Sequence, residues 1–190
     1  MAAGRGVVGE RFRDRLVTHA VGVATCTLLL LSATAAGAHD HEIPSPRLFR
    51  GADLIQRLRI VHSCWVHPVG DDGWQAKSCT DHPWSFPRRD GVRAGRVLTV
   101  RLGKRQQPEA LTLTSYGERR SDGSPSGPAQ RIATILEPKM DQAGAVVGYW
   151  VKFSLTPDRH FLVLKARWPD ENEPDMEQSA EWTMNLRARG

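Results

Sequence analysis

The chain has 190 residues, with 26 Lys and Arg, 21 Asp and Glu, and a formal net charge of +5. This mild excess of basic residues argues against a nucleic-acid-binding protein, which usually shows a concentrated basic patch. Arginine far outnumbers lysine, and we attribute that bias to genome composition before any phosphate-binding role. Charge therefore selects no class of function.

Residues 1–38 have the pattern of an export signal. Four arginines precede an apolar run from about Ala20 to Ala35, and the run ends in Ala36-Gly37-Ala38, whose small residues suit signal peptidase. The alternative is an uncleaved N-terminal anchor, because the run counted from Leu16 just reaches the roughly 20 residues that cross a bilayer. The leader thus predicts a secreted or cell-envelope protein that contacts the membrane only if the leader is retained.

Cleavage after Ala38 leaves 152 residues with a formal net charge of +3, since the leader carries four basic and two acidic residues. That length suits one domain. Residues 39–52 contain Pro44 and Pro46 and show no periodicity, so we expect an exposed arm there. Residues 53–190 are expected to form a single domain.

Most of residues 53–190 alternate apolar and polar side chains in short runs separated by Gly, Pro, Asp and Asn. This pattern is typical of half-buried strands in an all-β domain. Residues 52–58 also fit a helical turn, and that alternative stays open. The predicted strands are 54–62, 74–79, 96–102, 111–116, 131–136, 147–155, 160–168 and 181–189. Trp168 and Trp182 fall on the inward face of the last two, whereas Trp150 falls on an outward face.

The count and spacing of these strands resemble immunoglobulin-like antiparallel β-sandwiches of about seven to eight strands. The segment PDRHFLVLKARW, residues 157–168, is similar to their penultimate strand. The resemblance covers about the last hundred residues and implies architecture alone, since fold does not give function. The chain departs from the pattern in having Phe161 in place of a corner tyrosine and in lacking the inter-sheet cysteine of that strand.

The stretch HSCWVHPVGDDGWQAKSCTDHPW, residues 62–84, combines two cysteines with three histidines. Export favours a disulfide between Cys64 and Cys79, because no third thiol survives cleavage of the leader. The alternative is a zinc site that adds two of His62, His67 and His82 to both thiolates, although the cysteine spacing departs from the usual zinc pattern. A site made of the three histidines alone is a further alternative.

Enzymatic activity has no positive signal in the chain. No nucleophile elbow, HExxH motif, P-loop or dinucleotide fingerprint occurs. A pair of catalytic carboxylates leaves no local signature, so an extracellular hydrolase remains an alternative. We predict no catalytic residues and no cofactor.

Copper is the alternative cofactor, because cleavage after Ala38 would expose His39-Asp40-His41. An N-terminal amine, amide nitrogens and the His41 imidazole suit a square-planar Cu(II) site. The His39 amine and imidazole can instead clamp copper, as in exported copper carriers, which the chain resembles in Asp158-Arg159-His160. That resemblance implies Asp158 and His160 as further ligands, although about thirty residues follow the motif here.

Three tryptophans flank the cysteine pair, and we weigh two roles for them. Exposed aromatic residues beside a rigid loop suit recognition of a protein or carbohydrate, whereas a small sandwich also uses tryptophan to cover its core. The leading prediction is an exported, non-enzymatic binding or structural module with an unknown protein or carbohydrate ligand at the cell surface. Its expected contact surface comprises Trp65, His67, Trp74, His82 and Trp84.

Overall fold

The computed structural model describes residues 43–69, 74–169 and 177–190. These residues form strands and connecting loops and contain no helix. In keeping with that, no helix in these three ranges is long and apolar enough to cross a membrane. The predicted leader and the predicted copper ligands His39 and His41 lie outside the described residues.

Two antiparallel sheets and a small hairpin make up the described residues. The first sheet has five strands in the order β11-β12-β6-β1-β2. Its strands are β1 (Arg47–Arg50), β2 (Asp53–Arg57), β6 (Leu98–Leu102), β11 (Ile135–Met140) and β12 (Val146–Phe153). The small hairpin consists of β8 (Glu118–Arg119) and β9 (Pro125–Ser126).

The second sheet has seven strands, six of them in the order β10-β7-β13-β14-β3-β4. Its strands are β3 (Arg59–Val69), β4 (Trp74–Asp81), β5 (Asp90–Arg93), β7 (Ala110–Tyr116), β10 (Gln130–Ile132), β13 (Asp158–Trp168) and β14 (Gln178–Arg189). Strand β14 pairs with β13 along its whole length. Two strands share the other edge of β14: residues 179–183 of β14 pair with β3, and residues 186–189 pair in parallel with β5.

The sheets pack face to face around an apolar core, as the alternating pattern predicts. On the five-stranded sheet, Leu48, Val100 and Val151 lie side by side on neighbouring strands and are fully buried. On the seven-stranded sheet, Trp168 and Trp182 are buried and their rings meet edge to face at 6.3 Å. The sandwich class and the core positions of β12, β13 and β14 are therefore confirmed.

Two predicted strands are each split between the sheets, and four further strands (β1, β5, β8 and β9) were not predicted, so the described residues contain fourteen strands. The chain passes from β2 to β3 at Leu58, and from β10 to β11 at residues 133–134, and changes sheet at both places. Residues 53–57 are a strand, which settles the open choice against a helical turn. Period-two alternation cannot reveal such crossings, because it continues through them.

The expectation of an exposed arm at residues 39–52 is wrong for residues 47–50. These residues form β1, which lies between β6 and β2 in the five-stranded sheet. Leu48 is fully buried and Phe49 nearly so. The run RLFR is too short to show a period, yet its two apolar residues give β1 enough burial to dock on β6.

Residues 82–89, here called the covering segment, lie across the outer face of the seven-stranded sheet without forming a strand. The Ser85 carbonyl accepts a hydrogen bond from Thr183 Oγ1 at 2.5 Å, and the Pro87 carbonyl accepts one from Asn185 Nδ2 at 3.2 Å. The Phe86 ring meets Phe161 edge to face at 5.1 Å. Thr183 Oγ1 and Asn185 Nδ2 thus have hydrogen-bond partners on a face that would otherwise meet water, whereas the buried Asn185 Oδ1 has no partner among the described residues.

Gln56 joins the covering segment to both sheets. Its Nε2 donates to the Arg88 carbonyl and to Asp90 Oδ2, each at 2.8 Å, and its Oε1 accepts the Asn185 backbone N–H at 3.1 Å. The side chain is buried. A buried amide whose donors and acceptor are all used holds its neighbours in one arrangement.

The loop between β8 and β9 fits closely against the covering segment. Asp122 Oδ1 accepts hydrogen bonds from the Ser124 hydroxyl at 2.7 Å and the Ser124 backbone N–H at 2.8 Å. These two hydrogen bonds hold the pKa of Asp122 below its usual value of 3.8, and the bond from the hydroxyl has the larger effect. Gly123 has φ of 85°, and a Cβ there would lie 2.6 Å from the Trp84 carbonyl oxygen.

The substitution Gly123→Ala is expected to destabilise the protein more than Gly127→Ala. Both glycines have positive φ, at 85° and 82°, so alanine pays a left-handed backbone cost of about 1–2 kcal/mol at either site. Only at Gly123 does the new methyl group also meet backbone, whereas the space at Gly127 is open. Chemical denaturation of both variants measures the difference. Equal losses would contradict the close approach of Trp84.

Candidate functional site

The β3–β4 hairpin carries the cysteine pair. Cys64 and Cys79 are directly opposite in the hairpin register, with Cα atoms 4.0 Å apart, and their sulfur atoms are bonded to each other. The disulfide prediction is therefore confirmed. The zinc alternative is wrong, since a disulfide leaves no thiolate to bind the metal.

Trp65 was expected on a contact surface, and that expectation is wrong. It is 4% exposed and packs edge to face on Trp168 at 5.6 Å, so it belongs to the core. Trp84 is half-buried in the covering segment, whereas His67 and His82 are exposed. Strand β4 begins at Trp74, whose side chain lies outside the described part of the structure.

A row of polar side chains crosses the outer face of the seven-stranded sheet beside the disulfide. Cross-strand pairing places Thr112, Lys165, Glu181, His62 and Asp81 next to one another on β7, β13, β14, β3 and β4. Lys165 Nζ lies 2.6 Å from Glu181 Oε1, and His62 Nδ1 lies 2.6 Å from Asp81 Oδ1. The five residues come from five strands, so the fold alone assembles the row.

His62 also connects this row to the disulfide. Its Nε2 lies 3.5 Å from Cys64 Sγ, two residues further along the same face of β3. The imidazole is therefore held between the Asp81 carboxylate on one side and sulfur on the other. Such a fixed ring presents its edge in one orientation to the surface beside it.

That surface is a groove of about 340 Å³, here called the outer-face groove. Its lining residues are His62, Ala110, Thr112, Lys165, Arg167, Glu177, Ser179 and Glu181. Arg167 lies 3.3 Å from Glu177 and 3.6 Å from Glu109. Both cations of the groove are thus paired with carboxylates, and the groove offers hydrogen-bond donors and acceptors with little net charge.

Asp158 and His160 are the two predicted copper ligands that the structure describes, and each is held by other contacts. His160 is buried; its Nδ1 bonds Ser115 Oγ at 2.8 Å and its Nε2 bonds the Thr156 carbonyl at 3.0 Å. Because the carbonyl only accepts, Nε2 carries the proton and Nδ1 accepts from the serine hydroxyl. Asp158 is exposed and accepts the Arg159 backbone N–H at 2.6 Å. Both groups have structural roles here, and copper binding through His39 and His41 stays a prediction.

Within the three described ranges, no group of three or more His, Cys, Asp or Glu side chains is placed to hold a metal ion. The predicted three-histidine site is therefore not assembled there: His62 points to Asp81, and His67 and His82 are exposed at different parts of the hairpin.

Sequence reasoning missed most of the groove and also missed Lys104. This lysine lies in the loop between β6 and β7, yet it is only 5% exposed. Its Nζ donates to Gln178 Oε1 at 2.5 Å and lies 4.5 Å from the centre of the Trp65 ring and 5.3 Å from that of Trp168. Cation–π contact with two buried indoles explains its place in the fold. No local sequence pattern predicts such a contact.

Comparison of the chain with protein-family models, with curated proteins and with solved structures found no match.

Proposed function

We propose that the protein is an exported, non-enzymatic binding module with an immunoglobulin-like architecture, and that it holds its ligand in the outer-face groove. The observation that carries the proposal is the groove itself, where His62, fixed beside the disulfide, adjoins the paired charges of β13 and β14. The disulfide supports export, because such bonds persist mainly in oxidising compartments. It also stiffens the hairpin that forms one wall.

The chemistry of the groove favours an uncharged ligand rich in hydroxyl groups, such as a cell-surface carbohydrate. Lys165 pairs with Glu181 and Arg167 pairs with Glu177, so donors and acceptors alternate along the groove. A sugar hydroxyl both donates and accepts, and it matches that alternation. This match in hydrogen bonding is the reason for proposing a carbohydrate as the ligand of the groove.

Oligosaccharides bound on a glycan array, followed by titration calorimetry, test the proposal with two groove variants. Thr112→Val and Lys165→Met each remove a polar group from the groove, and we expect each to weaken affinity about tenfold or more. Thr99→Val is the matched control, because Thr99 is a half-buried threonine on β6 in the other sheet. It should leave affinity unchanged.

The same experiment separates the alternatives. Binding lost equally in all three variants, or no oligosaccharide bound at all, would refute a carbohydrate site in the groove. Mass spectrometry of the recovered oligosaccharide should show it intact. Cleaved products would instead favour the extracellular-hydrolase alternative over a binding module.

A further inference from the structure

A second cleft, here called the arginine cleft, lies at the opposite end of the seven-stranded sheet, where β13 begins and β14 ends. Its volume is about 520 Å³, and its lining includes Arg89, Asp158, Arg159, Arg187 and Arg189. Four guanidinium groups and one carboxylate give it a net formal charge of +3. The outer-face groove, with its paired charges, has a different electrostatic character.

The arrangement of these arginines disfavours the fold. Arg159 and Arg187 are directly opposite on β13 and β14, and like charges in that position are destabilising. Arg189 likewise neighbours Arg93 in the parallel pairing of β14 with β5. Among the described residues, the ion pairs involve none of the arginines that line the cleft. Repulsion retained at one place is typical of a site that serves binding at the expense of stability.

We propose that the arginine cleft binds a ligand that carries several phosphate groups. The planar guanidinium presents paired N–H donors that match the oxygens of a phosphate, and each such bond is charge-assisted. Arg159 is already oriented, because its guanidinium stacks 4.5 Å from the centre of the Phe161 ring. The covering segment supplies Arg89 to the lining of the cleft. A multiply charged anion would offset the repulsion among the arginines of the cleft.

Titration of the full chain with sodium tripolyphosphate, followed by calorimetry, tests this proposal. We expect saturable binding that weakens as salt is raised. The double variant Arg159→Gln/Arg187→Gln should weaken affinity at least about tenfold. A control variant, Arg57→Gln/Arg131→Gln, makes the same change of charge at two exposed arginines on β2 and β10. It should weaken affinity less than about twofold.

Thermal unfolding gives a second readout that distinguishes a binding site from a purely structural cluster. Without ligand, Arg187→Gln should raise the melting temperature by about 1–2 °C, because it relieves the repulsion with Arg159. Tripolyphosphate should raise the melting temperature of the unmodified chain more than that of the variant. Equal losses of affinity in the cleft and control variants, or no saturable binding, would overturn the proposal.

Vesicles of phosphatidylcholine with and without phosphatidylglycerol identify the source of the phosphate. Binding that needs phosphatidylglycerol and falls in the double variant assigns the phosphate to a lipid headgroup. Tripolyphosphate binding without vesicle binding assigns it to a soluble ligand. Because every variant carries the same apolar leader, the comparison between variants removes any contribution of the leader to vesicle binding. Thr112→Val should leave tripolyphosphate binding intact, so the two proposed sites succeed or fail separately.

Discussion

Replacing Trp168 by alanine is expected to lower the free energy of unfolding by about 3–5 kcal/mol. Trp168 is fully buried, its ring meets Trp65 and Trp182 edge to face, and its Nε1 donates to the Gln106 carbonyl at 3.1 Å. The substitution therefore opens a large cavity and leaves the Gln106 carbonyl without this donor. Urea denaturation measures the loss.

Trp150→Ala is the control for that experiment. Trp150 is half-buried on the outward side of β12, so its loss should cost about 1–2 kcal/mol. Similar losses at the two tryptophans would contradict the assignment of Trp168 to the centre of the core. The pair thus tests the inward and outward faces that alternation predicts.

Removing the disulfide with the double substitution Cys64→Ala/Cys79→Ala is expected to cost about 3 kcal/mol. The bond joins residues 15 positions apart, and the chain-entropy model gives about that value for a loop of this length. Denaturation with and without dithiothreitol measures the effect. The reductant should bring the unmodified protein to the stability of the double variant and leave the variant itself unchanged.

Alkylation followed by intact mass measurement gives an independent check on the disulfide. Two further thiols should become reactive only after reduction. If the unmodified protein has the same stability with and without dithiothreitol, the bond either is not formed in solution or does not constrain the unfolded chain. Alkylation distinguishes those two outcomes.

The sequence predicted the sandwich class, the core of its last three long strands and the disulfide. These features are local or nearly so: alternation fixes which side chains face inward, and the two cysteines outside the predicted leader leave one pairing. The fully buried positions of β13, from Leu162 to Trp168, follow that alternation. The last strand shows the same agreement at Trp182 and Met184.

The features that alternation missed depend on contacts between distant parts of the chain. The burial of Leu48 requires β6, about fifty residues later in the sequence. Trp65 was expected at the surface because it flanks the cysteine pair, but the inward face of β3 places it on Trp168. The outer-face groove draws its lining from β3, β7, β13 and β14. No single segment of sequence contains that information.

The sharing of one edge of β14 by β3 and β5 has a consequence for folding. Strands β13, β3 and β5 all pair with β14, so the backbone hydrogen bonds along the edges that face β14 cannot form until residues 178–189 are present. The larger sheet therefore cannot be completed while those residues are still being synthesised. Such sequence-distant pairing slows folding. In the exported protein that we propose, this delay would keep the chain unfolded while it crosses the membrane.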